Sequence, residues 1–352
     1  MKKTTIKQII IHSFNKAVLL LIMCHVASPT NAGNTDDSTY RRAITQAQNA
    51  HYSQALTSLK YLGDKHPKPN RYFYDYISIL GWAGKHHQIV THTSNIPLQQ
   101  APRYVLNTLA IAHRQQLNYI AAENTYRVIG KRFPKFIDGK IGLGLVLIDQ
   151  QKFKSAHTIL LSLQKRNPDD LRLLNALIYF HESQHNFMAA LRVYQHILEI
   201  NPSDTEILRR KILTLNTMGA SHLANSQISN PAIFSDKDLA RIKTDMSAHQ
   251  IRWAGIPPKN EKNTFDEIDI AIDELETNIK DFQSQFGDTS SYALNAQFDL
   301  LVALRDRYRM NDAIKLYDEL LDSTIKIPAY ARIAACDAYL YLERPSEAED
   351  CY

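Results

Sequence analysis

The segment His181-Glu182-Ser183-Gln184-His185 has the spacing of a zinc-protease motif. In such a motif, two histidines one helical turn apart bind the metal and the glutamate acts as general base. These residue types would suit metal-assisted hydrolysis. No third zinc ligand can be nominated, however, and motifs of five residues often arise by chance. Zinc hydrolysis through His181 and His185 is therefore one hypothesis among several.

Other catalytic signatures are absent from the sequence. It contains no G-x-x-x-x-G-K-[ST] loop, no G-x-S-x-G elbow, no G-x-G-x-x-G fingerprint and no C-x-x-C pair. The stretch Gly142-Leu143-Gly144 is interpreted as close helix packing. We predict a protein that acts by binding, is not an enzyme, and needs no cofactor or metal.

The chain contains an internal repeat, and this repeat sets the positions of His181 and His185 on their helices. Pro134, Pro168 and Pro202 lie 34 residues apart and each closes a similar phrase. Thirty-four residues is the tetratricopeptide period, in which each repeat is a hairpin of two helices. Small or bulky residues recur at the helix contacts, with Ile178 as the one misfit. Counted within each repeat, they are Ala110, Gly144 and Ile178 at position 8, Ala122, Ala156 and Ala190 at position 20, Tyr126, Leu160 and Tyr194 at position 24, and Ile129, Leu163 and Ile197 at position 27.

The repeat frame weakens the zinc hypothesis. It places His181 at position 11, facing the interior of the repeat, and His185 at position 15, where the first helix ends. The two side chains would then not share one helix face. We predict an all-α fold, a tetratricopeptide-type helix-hairpin solenoid (a right-handed superhelix), with no β-barrel in this chain. The expected regions are a signal peptide (1–32), repeats (33–230), an irregular insert (231–264), and a long helix with further repeats (265–352).

The N-terminus indicates secretion. Four early lysines precede a short apolar run, and Thr30-Asn31-Ala32 offers a small-x-small cleavage site. The alternative is an uncleaved anchor. Removing the signal changes the balance of 41 Lys and Arg against 36 Asp and Glu to 37 against 36, which does not suggest a nucleic-acid-binding protein. Cys336 and Cys351 remain, and whether they pair is left open.

Residues 265 to 286 predict one long amphipathic helix, because apolar residues recur every three or four positions. It either packs on the repeats or serves as a coiled-coil partner. An acidic stripe that includes Asp266, Asp269 and Asp273 is either a solvated face or a site that attracts a cationic ligand.

In a solenoid of this kind, positions 2, 5, 9 and 12 or 13 of the first helices line the concave groove. Tyrosine, asparagine and carboxylate side chains there would suit a sugar or a peptide ligand. The candidate ligand-binding residues are Tyr104, Asn107, Arg114, Asp138, Asp149, Arg172, Asn175, Tyr179, Glu182, Asn295, Phe298, Arg305 and Asp306.

Several phrases carry a family resemblance. They are Leu80-Gly81-Trp82-Ala83-Gly84-Lys85, Ala101-Pro102-Arg103-Tyr104, and the stretch from Ala303-Leu304-Arg305-Asp306-Arg307-Tyr308 through Ala313-Ile314-Lys315-Leu316-Tyr317. The chain resembles the periplasmic repeat region of the poly-beta-1,6-N-acetyl-D-glucosamine export porins. The order of repeats, irregular insert, long helix and renewed repeats also agrees.

The resemblance implies a periplasmic module of an outer-membrane porin for biofilm matrix export. It would bind the partly de-N-acetylated glycan and its periplasmic deacetylase, and the cationic amines would meet carboxylates such as Asp138, Asp149 and Glu182. The sequence lacks the alternating ten-residue segments of a transmembrane barrel, and it ends within a repeat. We therefore expect a fragment whose C-terminal outer-membrane barrel is missing. The alternative is a generic periplasmic scaffold for protein partners in envelope assembly.

Overall fold

The computed structural model describes residues 35–67, 69–254, 266–322 and 325–352. The predicted signal peptide lies outside these ranges, as do Phe265 and the end of the predicted irregular insert. All regular elements in the described ranges are helical. The α-helices are α1 (Thr35–Gln48), α2 (Tyr52–Lys65), α3 (Arg71–Trp82), α4 (His86–Thr93), α5 (Arg103–Gln115), α6 (Tyr119–Arg132), α7 (Ile137–Asp149), α8 (Phe153–Gln164), α9 (Leu171–Ser183), α10 (Phe187–Ile200), α11 (Thr205–Thr217), α12 (Ser221–Ser226), α13 (Asp236–Ala254), α14 (Asp266–Phe286), α15 (Ser291–Asp306), α16 (Met310–Asp322), α17 (Ala329–Tyr341) and α18 (Pro345–Cys351).

The 34-residue period appears directly in the backbone turns. The turn between the first and second helix of a hairpin contains one residue whose backbone lies in the left-handed region. The backbone N–H of the next residue then donates to a carbonyl in the last turn of the first helix. Thus Asn118 donates its N–H to the carbonyl of His113 at 2.8 Å, and Lys152 donates to Leu147 at 2.8 Å. The left-handed residues are Ala50, Gly84, Leu117, Gln151, His185 and Gly219, and later Tyr308 and Glu343.

The predicted contact positions form the core. The alanines at position 20, Ala122, Ala156 and Ala190, are completely buried. Close approach also explains the glycines of α7. A Cβ atom on Gly142 would lie 2.3 Å from the ring of Tyr126, so only glycine fits without a shift. The prediction that this stretch serves helix packing is confirmed.

The chain forms two compact units, one ending at Val193 and one spanning Tyr194–Tyr352. In the second unit, part of the predicted irregular insert is helical. Helix α13 covers Asp236–Ala254 and buries Ala240, Ile242 and Ile251. The prediction that this segment is irregular was therefore wrong. Its apolar residues follow the helical period only weakly, and the prolines on either side suggested a loop.

Helix α14 confirms the predicted amphipathic helix over the residues that the structure describes. Ile272, Leu275 and Phe282 are almost completely buried in the core of the second unit. The helix packs against α13 and α15. Its apolar stripe is thus covered inside this unit, as the packed-helix alternative requires.

A disulfide joins Cys336 of α17 to Cys351 of α18, with their Cα atoms 5.4 Å apart. The bond fastens a helix of seven residues, Pro345–Cys351, to its hairpin partner. Among the helices of the described ranges, none combines the length and the apolar character needed to cross a bilayer.

Candidate functional site

The histidines of the zinc-protease motif do not share a helix face. Helix α9 ends at Ser183, and His185 lies in the turn with φ of 57°. His181 is half-buried beside the ring of Phe180, 5.2 Å away, and burial lowers the pKa of its imidazole. In the part of the chain that the structure describes, no group of three or more His, Cys, Asp or Glu residues is placed to hold a metal ion. The geometry lacks the two-histidine helix face that the zinc hypothesis requires.

A set of hydrogen bonds among three predicted groove residues joins three successive first helices. Asp149, at the end of α7, has a side chain that is 1% exposed. Arg114 of α5 donates from Nε to one of its oxygens at 2.5 Å, and Tyr179 of α9 donates from its hydroxyl to the other at 2.5 Å. The structure therefore brings these three predicted residues together. Asp149 ties the helices to one another, and its contact with a ligand stays a prediction.

A second carboxylate, in the first repeats, also accepts hydrogen bonds from donors on both sides of it in the sequence. Asp75 of α3 is buried and accepts the hydroxyls of Tyr40 at 2.7 Å and Tyr104 at 2.9 Å. As with Asp149, one donor precedes the aspartate by 35 residues. The other follows by 29 residues here and by 30 at Asp149. Burial raises the pKa of Asp75, and the two hydroxyls act in the opposite direction. Tyr104 was predicted from the sequence, whereas Tyr40 and Asp75 were missed.

The predicted Asp138 is also engaged within the protein. Arg172 donates from Nη1 to Asp138 at 2.6 Å and from Nη2 to Asp170 at 2.6 Å. Asp170 also accepts the N–H groups of Arg172 and Leu173 at the start of α9. Burial raises the pKa of Asp138, while Arg172 lowers it. One arginine thus bridges two successive repeats.

Three other predicted residues of the first unit keep part of their surface open to solvent. Asn107, Asn175 and Glu182 are half-buried. The side chain of Asn175 donates to the carbonyl of Leu171 at 2.8 Å, which orients the amide on the helix. Together with the half-buried Tyr104 and Arg172, these residues are predicted polar groups of the unit that solvent still reaches.

The second unit contains a comparable arrangement. Arg305 lies 2.6 Å from Asp306 and donates from Nη1 to Asp337 at 2.7 Å. The hydroxyl of Tyr352 donates to the other oxygen of Asp337 at 2.6 Å. An arginine and a tyrosine thus hold one aspartate, as at Asp149. Asp337 was missed because the sequence analysis placed no groove residue in the last repeat of the chain.

The two remaining predicted residues of this unit differ in exposure. Asn295 is exposed, whereas Phe298 is only 6% exposed and belongs to the core. Next to Phe298, Asp299 accepts the hydroxyl of Tyr330 at 3.2 Å. Burial raises the pKa of Asp299 to about 6. An aspartate between Phe298 and Leu300 in an apolar helix was the signal that sequence reasoning overlooked.

A further charged cluster joins the second helix α6 to the turn between α7 and α8. Glu123 of α6 accepts Lys152 Nζ at 2.9 Å, Gln150 Nε2 at 2.8 Å and Arg127 Nη2 at 2.6 Å. The hydrogen bond from Lys152 is the main cause that lowers the pKa of Glu123 to about 2. Like the aspartates of the first helices, this carboxylate is neutralised inside the protein.

Hairpins of 34 residues with small residues at their contacts and a left-handed turn define the tetratricopeptide fold. A solved tetratricopeptide repeat protein from Parabacteroides merdae agrees with this assignment at a TM-score of 0.50 and 14% identity. The match covers 77% of this chain and 100% of that one. At this identity, the likeness shows the fold alone.

The sequence is similar to the poly-beta-1,6-N-acetyl-D-glucosamine export protein of Escherichia coli strain K12. They are 23% identical over 334 residues, which cover 95% of this chain and 40% of that protein. The export protein of Escherichia coli O157:H7 aligns to the same extent. The family resemblance inferred from short phrases is therefore confirmed. The chain spans about 40% of the length of these relatives, and no protein-family profile matches it.

Proposed function

We propose that this chain is the periplasmic repeat region of an outer-membrane system that exports partly de-N-acetylated poly-beta-1,6-N-acetyl-D-glucosamine. It acts by binding the glycan and its periplasmic deacetylase, without catalysis. The observation that carries this proposal is the alignment over 95% of the chain with a protein named for export of that glycan.

The chemistry of the first-helix surface supports a sugar ligand. Tyr104 is half-buried, packs against the core of the first unit and donates its hydroxyl to Asp75. Asn107 and Asn175 add half-buried amide groups on first helices. Sugar rings stack on aromatic faces, and their hydroxyl and N-acetyl groups pair with amides. Asp138 and Asp149 are already paired with arginines of neighbouring first helices, so their part in this proposal is to hold those helices together.

The disulfide between Cys336 and Cys351 supports the proposed location. Structural disulfides persist in oxidising compartments such as the bacterial periplasm and are rare in the cytosol. The predicted signal peptide leads to the same compartment.

Calorimetric titration of the purified protein with β-1,6-linked glucosamine oligosaccharides of different acetylation tests the proposal. Binding should weaken in the Asn107→Ala, Asn175→Ala double variant. It should be unchanged in the control Asn311→Ala, which alters an exposed residue of the second helix α16.

The outcomes separate the proposal from its alternative. Capture of the deacetylase without any glycan binding would favour the generic scaffold for protein partners. Absence of both interactions would refute the proposed function. Cleavage of the oligosaccharide during the titration would contradict a role restricted to binding.

A further inference from the structure

Charge is divided between the two units. Residues 35–193 contain 20 lysines and arginines against 10 aspartates and glutamates, a net charge of +10. Residues 194–352 contain 17 against 26, a net charge of −9. The overall balance near zero therefore conceals two units of opposite sign, each large enough to produce a strong local potential.

Part of the exposed positive charge of the first unit lies on its second helices and the turns after them. Lys131 and Lys165 hold equivalent places, 34 residues apart, and both are exposed. We define the basic face by Lys131, Lys154, Lys165, Arg166 and Arg192. Among the described residues, none of these five has an ion-pair partner within 4.0 Å. Four acids of this unit, Asp75, Asp138, Asp149 and Glu123, are buried or paired with other groups.

Part of the exposed negative charge of the second unit lies on its second helices as well. Glu319 and Asp322 lie on α16, and Glu349 and Asp350 lie on α18. All four are exposed, and within the described ranges none is joined to a lysine or arginine. We define these four residues as the acidic face. Two arginines near the start of these helices are paired with other acids, Arg309 with Asp312 and Arg344 with Glu347.

We propose that the basic face of one copy of this protein binds the acidic face of a second copy. Both faces are exposed and uncompensated, and they are opposite in sign, so charge complementarity favours this partner. Two different surfaces meet in such a contact, and each copy carries both, so one copy can bind two others. Charged surfaces attract only over about 8 Å at physiological salt, so the association must depend strongly on ionic strength.

Sedimentation velocity of the purified protein tests this self-association. At about 20 mM salt the average mass should rise with protein concentration, and at about 500 mM salt the protein should return to monomer. A protein that remains monomeric at low salt and high concentration would overturn the proposal. So would an association that salt leaves unchanged.

Charge reversal identifies the two faces. Lys131→Glu, Lys154→Glu and Lys165→Glu reverse the basic face, and Glu319→Lys, Asp322→Lys and Glu349→Lys reverse the acidic face. Each triple variant alone should be monomeric at low salt. An equimolar mixture should associate again, because the reversed faces attract each other and the native pair is also present.

Two results would contradict the assignment of the faces: association of either variant alone, or a mixture that stays monomeric. Circular dichroism spectra that match the unmodified protein establish that each variant is folded. All the substituted side chains are exposed, so the helices should tolerate the changes.

Discussion

Arg114 and Asp149 are 35 residues apart in the sequence, yet Arg114 Nε lies 2.5 Å from a carboxylate oxygen of Asp149. The contact joins the ends of two successive first helices, and Tyr179 extends it to a third. The Asp149 side chain is 1% exposed and that of Arg114 is 13% exposed. A pair so enclosed stabilises the stack only while both partners are present.

Substituting Asp149 by Ala should destabilise the first unit by about 3 kcal/mol, because it leaves the Arg114 guanidinium enclosed without its anion. Urea unfolding followed by circular dichroism measures this change. The double variant Arg114→Met, Asp149→Leu should recover most of the loss, since it removes both charges. A single variant as stable as the unmodified protein would contradict the structural role of Asp149.

Gly142→Ala should destabilise the first unit by about 2 kcal/mol, because the added methyl group would overlap the ring of Tyr126. Gly130→Ala is the matched control. Its new Cβ would meet nothing within 4 Å, and alanine favours the helix, so stability should rise by about 0.5 kcal/mol. Thermal unfolding of both variants measures the difference. Equal melting temperatures would show that α7 does not approach Tyr126 so closely.

The ion pairs of Glu123 predict a pH dependence. Its pKa is lowered from 4.5 to about 2 in the folded protein, so its stabilising contribution is fully present above pH 4.5. That contribution is lost as the pH falls from 4.5 towards 2. We expect Glu123→Gln to cost about 1 kcal/mol at pH 6, a modest value because Lys152 and Arg127 are half exposed.

Urea unfolding at pH 6 and at pH 3 compares the two proteins. The difference in unfolding free energy should shrink at the lower pH, because at pH 3 the Glu123 carboxyl of the unfolded chain, with its ordinary pKa of 4.5, holds a proton that it must release to form the folded ion pairs. A difference that is the same at both pH values would contradict the lowered pKa of Glu123.

The disulfide should stabilise the last hairpin. The bond closes a loop with a sequence separation of 15 residues, and replacing both cysteines by serine should cost about 3 kcal/mol locally. Limited proteolysis should then cleave the segment around α18 faster, with the first unit unaffected. Detection of two free thiols in the untreated, unfolded protein would show that the bond is not formed.

Metal content tests the zinc hypothesis directly. Because His185 lies beyond the end of α9, we expect the purified protein to retain no stoichiometric zinc. His181→Ala should leave both metal content and activity towards peptide substrates unchanged. A zinc ion that is bound at one equivalent and lost in this variant would overturn the non-enzymatic assignment.

The repeats could be read from the sequence because their determinants are local and recur. Position 20 is alanine in three successive units, and each of these residues is buried at a helix contact. The same reasoning placed His185 in a turn and Gly142 in a close packing contact. Helix α13 was missed because its apolar spacing is weak and prolines flank it.

The partners of the predicted groove residues could not be predicted from repeat position. Repeat position alone suggested that Asp138 and Asp149 face a ligand, and it cannot show which side chains of neighbouring repeats reach them.

The sequence by itself determined the helical hairpins and their period, because these properties depend on residue type and spacing along the chain. Only the tertiary structure decided that Arg114 and Tyr179 enclose Asp149, that Tyr40 and Tyr104 hold Asp75, and that Cys336 meets Cys351. The physical reason is that each of these contacts depends on how helices stack. A partner 15, 30 or 35 residues away comes within bonding distance only after the backbone has folded.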